Sequence, residues 1–277
     1  MKLTLRYLTS TVLWLATTTA IAQQGNGTSV LNNFDPTKPL FRLQADQAEN
    51  KNRFLRYVAV TGYREGVVPT KETSMVGFDV VNNSLAGTRR FVIYNSSIED
   101  LITLGLTPPS HVLLHVKNPS RYRYDISYGD YKNWLRKNGY CYEQMVPQIN
   151  MTAVQYVQDI AHCFALKVEK KKLSVKSLVL VRTSQEEKFK TTTDKEGSYS
   201  KTEFINQPFR RIGLFIESNG SKLPFVDQTN YPGYVDLNFT GASWTDISSI
   251  RKALQKYDLN LVEKDAEVEM LVISELK

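Results

Sequence analysis

The chain has 277 residues, of which 42% are apolar and 23% charged, and 35 Lys and Arg against 28 Asp and Glu leave a net charge of +7. This balance excludes a disordered chain, and a mild positive charge does not by itself imply nucleic acid. Two cysteines exclude a disulfide scaffold or a four-cysteine zinc module, and no apolar run reaches the ~18 residues that would mark a multi-span membrane protein.

The first segment reads as a targeting signal. Lys2 and Arg6 form a short positive start, Tyr7–Thr19 is mostly apolar or Thr, and Ala20-Ile21-Ala22 is a small-x-small cleavage pattern. A secretory signal peptide is predicted over residues 1–22, which implies a periplasmic or extracellular protein with no transmembrane span after cleavage. Residues 23–53, rich in Gln, Asn, Asp and Lys with Pro36 and Pro39, read as a loose leader.

From Phe54 the apolar content rises. Phe54–Val60 and Met75–Val81 have strand character, and beyond residue 90 a pattern of strand, capped short helix and strand recurs. The first unit runs from the strand Arg90–Tyr94 through a helix opened by Ser97 and Asp100 and stopped at Gly105, to the strand His111–Val116. The second opens at Tyr122–Tyr128. After an insertion, 129–149, it continues as a helix with apolar residues at Val154, Val157, Ile160, Ala161 and Phe164. Two strands are then predicted, Ala165–Glu169 and Leu173–Arg182, joined by a turn at Lys170–Lys172.

The third unit has a strand near Thr202–Ile205, a helix carrying Phe209, Ile212, Phe215 and Ile216, and the strand Leu223–Gln228. The fourth has Tyr234–Phe239, a helix capped by Thr245 or Asp246, and a hairpin of Leu259–Glu263 and Val268–Ser274 that turns at Lys264–Glu267. The units agree in pattern but not in residues. They predict an α+β fold of repeated strand–helix–strand units, with short helices packed on antiparallel and mixed sheets. Residues 54–277 read as one composite domain, divisible into 54–182 and 199–277 about a polar linker at 183–198.

Several segments carry a resemblance. Phe164-Ala-Leu-Lys-Val168 precedes the apolar run Leu173–Val181, and Leu223-Pro-Phe-Val-Asp-Gln-Thr229 leads into Tyr231-Pro-Gly-Tyr-Val-Asp-Leu237. Ile250–Leu254 leads into Leu259–Glu263 and the closing run Val268–Ile273, and Arg123-Tyr-Asp-Ile126 stands upstream. In order and spacing, residues 75–277 resemble the secreted bacterial "soil-associated" family, built on a domain of unknown function. Pro119-Ser120 stand where that family usually has Trp, and Thr229–Gly233 replaces a Gly-containing turn. The resemblance implies secretion and an α+β fold, and it transfers no catalytic residue.

Candidate chemistry is sparse. No nucleophile elbow, zinc-protease helix, phosphate loop or dinucleotide glycine pattern occurs. His111 and His115 fall on a predicted strand, where four residues span about 13 Å, too far to share one ion. His162 adjoins Cys163, but neighbours on a helix point about 100° apart. No metal or cofactor is expected. Cys141 and Cys163 either pair as a disulfide after export or remain separate buried thiols.

Tyr122, Tyr124, Tyr128, Tyr131, Trp134, Tyr140 and Tyr142, interleaved with basic residues, form a candidate binding surface. Lys167, Lys170, Lys171, Lys172 and Lys176 form a basic hairpin that serves either solubility or an anionic envelope surface. The expected function is therefore a non-enzymatic binding or scaffolding protein of the bacterial cell envelope, whose partner is an envelope protein or glycan and not nucleic acid. The competing expectations are a glycan- or thiol-directed envelope enzyme and a structural accessory of a larger envelope machine.

Overall fold

The computed structural model describes residues 56–67, 78–83, 87–104, 106–147, 153–192, 196–219 and 221–276. The predicted signal peptide and leader lie outside these residues. The described residues form five α-helices and eleven strands in three sheets, an α+β fold with mixed and antiparallel pairing.

The first sheet has the order β1 (Tyr57–Gly62), β5 (Tyr140–Pro147), β3 (Thr88–Ser96) and β2 (Phe78–Asn83), all antiparallel. Side chains alternate across such a strand. Phe91 and Ile93 of β3, with Tyr142 of β5, therefore face a core shared with the helices α1 (Ile98–Thr103) and α3 (Ala153–Cys163). Ser97 caps α1 as predicted: its Oγ accepts from the Asp100 N–H at 3.0 Å and donates to the Asp100 carboxylate at 2.7 Å. Tyr156 of α3 packs edge-on against both Phe91 and Tyr142.

The predicted insertion at 129–149 is instead the helix α2 (Tyr131–Asn138) followed by β5, an interior strand of this sheet. Tyr122–Tyr128 is not a strand but a turn ending in one 3-10 turn, Ile126–Tyr128.

The second sheet is built on two strands of 17 residues, β6 (Leu166–Arg182) and β11 (Leu259–Glu275), which pair antiparallel from end to end. The turns predicted at Lys170–Lys172 and Lys264–Glu267 do not form. Neither run contains Gly or Pro to reverse the chain, and opposite charges across the ladder favour continued pairing. Lys170 meets Glu269 at 2.8 Å, Lys172 meets Glu267 at 3.5 Å and Lys176 meets Glu263 at 3.0 Å.

The third sheet has the order β10 (Val235–Asn238), β8 (Glu203–Gln207) and β7 (Ser198–Tyr199). It packs with α4 (Arg210–Ser218) and α5 (Ile247–Gln255) in a second core, which holds Phe204, Ile212, Ile216, Ile250 and Leu254. Full burial of each such side chain stabilises by about 1.5–3 kcal/mol. Phe189, within the polar run 183–198, is also fully buried there and packs edge-on against Phe209 and Tyr231.

The two halves are related by a pseudo-two-fold axis through the long ribbon, between the facing residues Ser174 and Glu267. Leu178 and Leu271 hold the same position in β6 and β11. Leu178–Leu180 bind the edge strand β9 (Phe225–Asp227) in parallel, and Leu271–Ser274 bind β4 (Val112–His115) in parallel. Ala165 and Asp258, each just before its long strand, are both left-handed, with φ of 52° and 53°. The closing bonds are reciprocal: Thr183 N–H donates to the Asp258 carbonyl at 2.8 Å and Leu276 N–H to the Ala165 carbonyl at 2.9 Å. The axis thus relates β3–α1–β4 to β8–α4–β9, and β5–α3–β6 to β10–α5–β11. The repeated units read from the sequence are two copies of one pattern, wound on a common ribbon.

Candidate functional site

The seven aromatic residues of the predicted binding surface divide between core and surface. Tyr122, Tyr140 and Tyr142 belong to the first core, and the Tyr122 hydroxyl donates to Glu275 at 2.9 Å. They form no surface. Tyr124, Tyr131 and Trp134 form a separate three-ring cluster with centroids 5.0 to 6.3 Å apart. Trp134 is 6% exposed and anchored by its Nε1–H to the Ser120 carbonyl at 2.8 Å. Tyr131 is 49% exposed, Tyr128 45% and Ile126 85%.

The segment bearing these exposed residues is held in shape by its own bonds. Asp125 caps the 3-10 turn, Asp130 caps α2, and the Tyr124 hydroxyl donates to the Gly129 carbonyl at 2.6 Å. Gly129 joins the turn to the helix at φ 87°, a conformation that disfavours any residue with a side chain.

The predicted basic hairpin is neither a hairpin nor an unbalanced patch. Lys170, Lys172 and Lys176 pair across the ribbon with glutamates of β11, and Lys167 and Lys171 both meet Glu169 at 2.9 and 3.1 Å. Sequence counting along β6 alone could not show the acidic strand beside it.

Cys141 and Cys163 are both free thiols, so the disulfide alternative does not hold, and the expectation of two buried thiols holds only for Cys141, since Cys163 is exposed. Tyr140 and Tyr142 point to the α3 side of β5, where Tyr140 packs on Phe164 and Tyr142 on Tyr156. Cys141, between them, points to the opposite side and donates to Asn95 Oδ1 at 3.2 Å. Burial pushes both thiols above their ordinary range, which lowers the thiolate fraction a thiol-directed mechanism needs.

The concave feature of most chemical interest lies between the two halves, over one face of the ribbon. It is a cleft of about 380 Å³ whose lining includes His111 from the first half and Arg210, Leu214, Glu217 and Phe225 from the second, with Lys170, Glu269 and Leu271 from the ribbon. Glu217, almost wholly buried near the end of α4, clasps the halves together. Its Oε1 accepts from Ser110 Oγ at 3.2 Å and from the Phe225 N–H at 2.9 Å, and lies 2.7 Å from His111 Nε2. The imidazole also hydrogen-bonds to the Glu269 backbone, and the Glu217 contact raises its pKa above the ordinary histidine value against the opposing effect of burial.

Two acceptors on one ring favour the double-donor, cationic form, in line with the raised pKa. Ser110 donates to Glu217 and not to His111, so these residues form a clasp rather than a nucleophile and its base.

No protein-family model, curated protein or solved structure matches this chain.

Elsewhere, Glu99 of α1 is buried against Arg123, and burial outweighs the guanidinium to push its carboxyl up to about 7. Among the described residues no group of three or more His, Cys, Asp and Glu is arranged to hold a metal ion, and no helix is long and apolar enough to cross a membrane. Arg210, Glu217 and Glu99 carry no distinguishing signal in the sequence. Glu217 and Glu99 look like ordinary helix-surface charges until their distant partners, His111 and Arg123, are known.

Proposed function

We propose that this is an exported, non-enzymatic binding protein of the bacterial cell envelope, whose partner is another envelope protein docking on residues 124–134. The observation that carries the reading is the rigidly held segment exposing Ile126, Tyr128 and Tyr131 around a buried Trp134 anchor. Aromatic and aliphatic side chains held clear of the core at low entropy cost suit a protein interface. Ile126, at the tip, favours a protein over a glycan, since a branched aliphatic side chain offers a sugar neither a ring face nor a hydrogen bond. The amino-terminal signal-peptide pattern and the resemblance to soil-associated secreted proteins support the compartment.

The test is crosslinking in intact envelopes, with Ile126→Asp and Tyr131→Ala as variants. Loss of the same crosslinked partner from both, with unchanged melting temperature, supports the reading; retention of every partner removes it. Amino-terminal sequencing of the mature protein checks export, with Gln23 as the expected first residue.

A further inference from the structure

We propose that the cleft between the two halves binds a small amphipathic anion, an apolar chain ending in a carboxylate, with Arg210 as the cation that receives the head group. This site is separate from the aromatic segment and does not depend on the reading above. Its volume, about 380 Å³, falls within the range of small-molecule sites. Leu106 and Leu214, both solvent-exposed apolar residues, form part of its walls with Phe225 and Leu271.

The charges sort themselves. His111 is satisfied by Glu217, and Lys170 by Glu269 at 2.8 Å. The guanidinium of Arg210, the first residue of α4, makes no hydrogen bond or ion pair with any described residue, which leaves one uncompensated positive charge in the lining. A guanidinium presents its donors as a fork that fits a carboxylate.

Arg210, Gly213, Leu214 and Glu217 form one stripe along α4, because residues three and four apart share a helix face. Arg210 and Glu217 therefore stand at opposite ends of that stripe, about 10 Å apart along the axis. An anion is attracted to the Arg210 end, whereas at the other end His111 compensates the Glu217 charge. Leu214 lies between them, where the chain of the ligand would run.

The experiment is isothermal titration of the full mature protein with sodium octanoate, octanol and octylammonium. Saturable octanoate binding, with octanol and octylammonium each at least about tenfold weaker, is expected. Arg210→Gln should weaken octanoate about tenfold without moving the melting temperature, since the guanidinium makes no internal hydrogen bond or ion pair. Leu214→Asp should abolish binding, and Ile126→Asp should leave it unchanged.

Equal affinity for octanoate and octanol overturns the proposal, as does full octanoate affinity in Arg210→Gln or no octanoate binding at millimolar concentration. Flotation with phosphatidylglycerol vesicles that depends on Arg210, without saturable octanoate binding, assigns Arg210 to a membrane headgroup and also overturns it.

Discussion

His111 and Glu217 lie 106 residues apart in the chain and 2.7 Å apart in the fold, joining the two pseudo-symmetric halves above their shared ribbon. The histidine pKa is raised by that carboxylate, so the folded state binds more protons than the unfolded state above the ordinary value of 6.5. The contribution is fully present below pH 6.5 and declines as pH rises through the folded value. Glu217→Gln should lower stability at pH 5.5 by about 1.5–3 kcal/mol, the usual worth of a hydrogen bond to a charged group. It should also flatten the decline between pH 6.5 and pH 8.5. Urea unfolding at both pH values reads the difference; a wild-type stability that rises over that interval would contradict the assignment.

Glu99 makes a second pH-dependent contribution of the same sign. Burial raises its carboxyl to about 7, above the ordinary 4.5, with the Arg123 ion pair opposing the rise. The neutral acid therefore contributes stability fully below pH 4.5, and that contribution is lost as pH rises through about 7. Glu99→Gln keeps the shape and stays neutral. Relative to wild type, the variant should gain on the order of 3 kcal/mol between pH 4.5 and pH 8. Paired denaturation curves at the two pH values test this, and a variant whose deficit is constant with pH would show that Glu99 remains ionised throughout.

The repeating strand–helix–strand pattern was legible because each helix carries its own local signals. Ser97 and Asp246 cap where their chemistry predicts, and the apolar residues of α4 recur at helical spacing. The ribbon was not legible. Lys170–Lys172 reads as a turn when its neighbour is unknown, but becomes mid-strand once β11 lies alongside, where Lys170 reaches Glu269 and Lys172 reaches Glu267 diagonally. Strand β5 was hidden for a related reason: Glu143 and Gln144 interrupt its apolar run, yet both are buried with partners, Glu143 on Arg90 at 2.8 Å and Gln144 on Asp159 at 2.6 Å. The His111–Glu217 clasp left no sequence signal at all, because its members belong to different repeats and meet only when the two halves close on the axis.

Within the aromatic segment, stability and recognition should separate by residue. Trp134 is buried and hydrogen-bonded to Ser120, whereas Tyr131 stacks over it with half its surface free. Trp134→Ala should cost about 3–5 kcal/mol, the range for truncating a large buried aromatic residue. Tyr131→Ala should cost less than about 1 kcal/mol, as surface substitutions do. Thermal melts of the two variants decide the point. Equal losses would mean that Tyr131 serves the core, and only Ile126 and Tyr128 would then remain as clean probes of docking.

The pseudo-symmetry itself makes a prediction at the two left-handed residues that precede the long strands. Ala165 sits at φ 52° with no side chain beyond Cβ to compensate, so it bears the steric cost of that region, about 1–2 kcal/mol for an L-residue. Ala165→Gly relieves the clash at some cost in backbone entropy and should stabilise by about 0.5–1 kcal/mol. Asp258 has the same backbone at φ 53°, but its carboxylate accepts from Ser184 Oγ and from Lys188 Nζ, each at 2.8 Å. Asp258→Gly relieves the same strain while removing both contacts, so it should fall short of the gain at Ala165. Chemical denaturation of the single and double variants measures this. The two effects should add, because the sites lie at opposite ends of the ribbon and share no side-chain partner. A gain at Asp258 equal to that at Ala165 would mean that the Ser184 and Lys188 contacts contribute nothing, and that backbone strain alone distinguishes these positions from glycine.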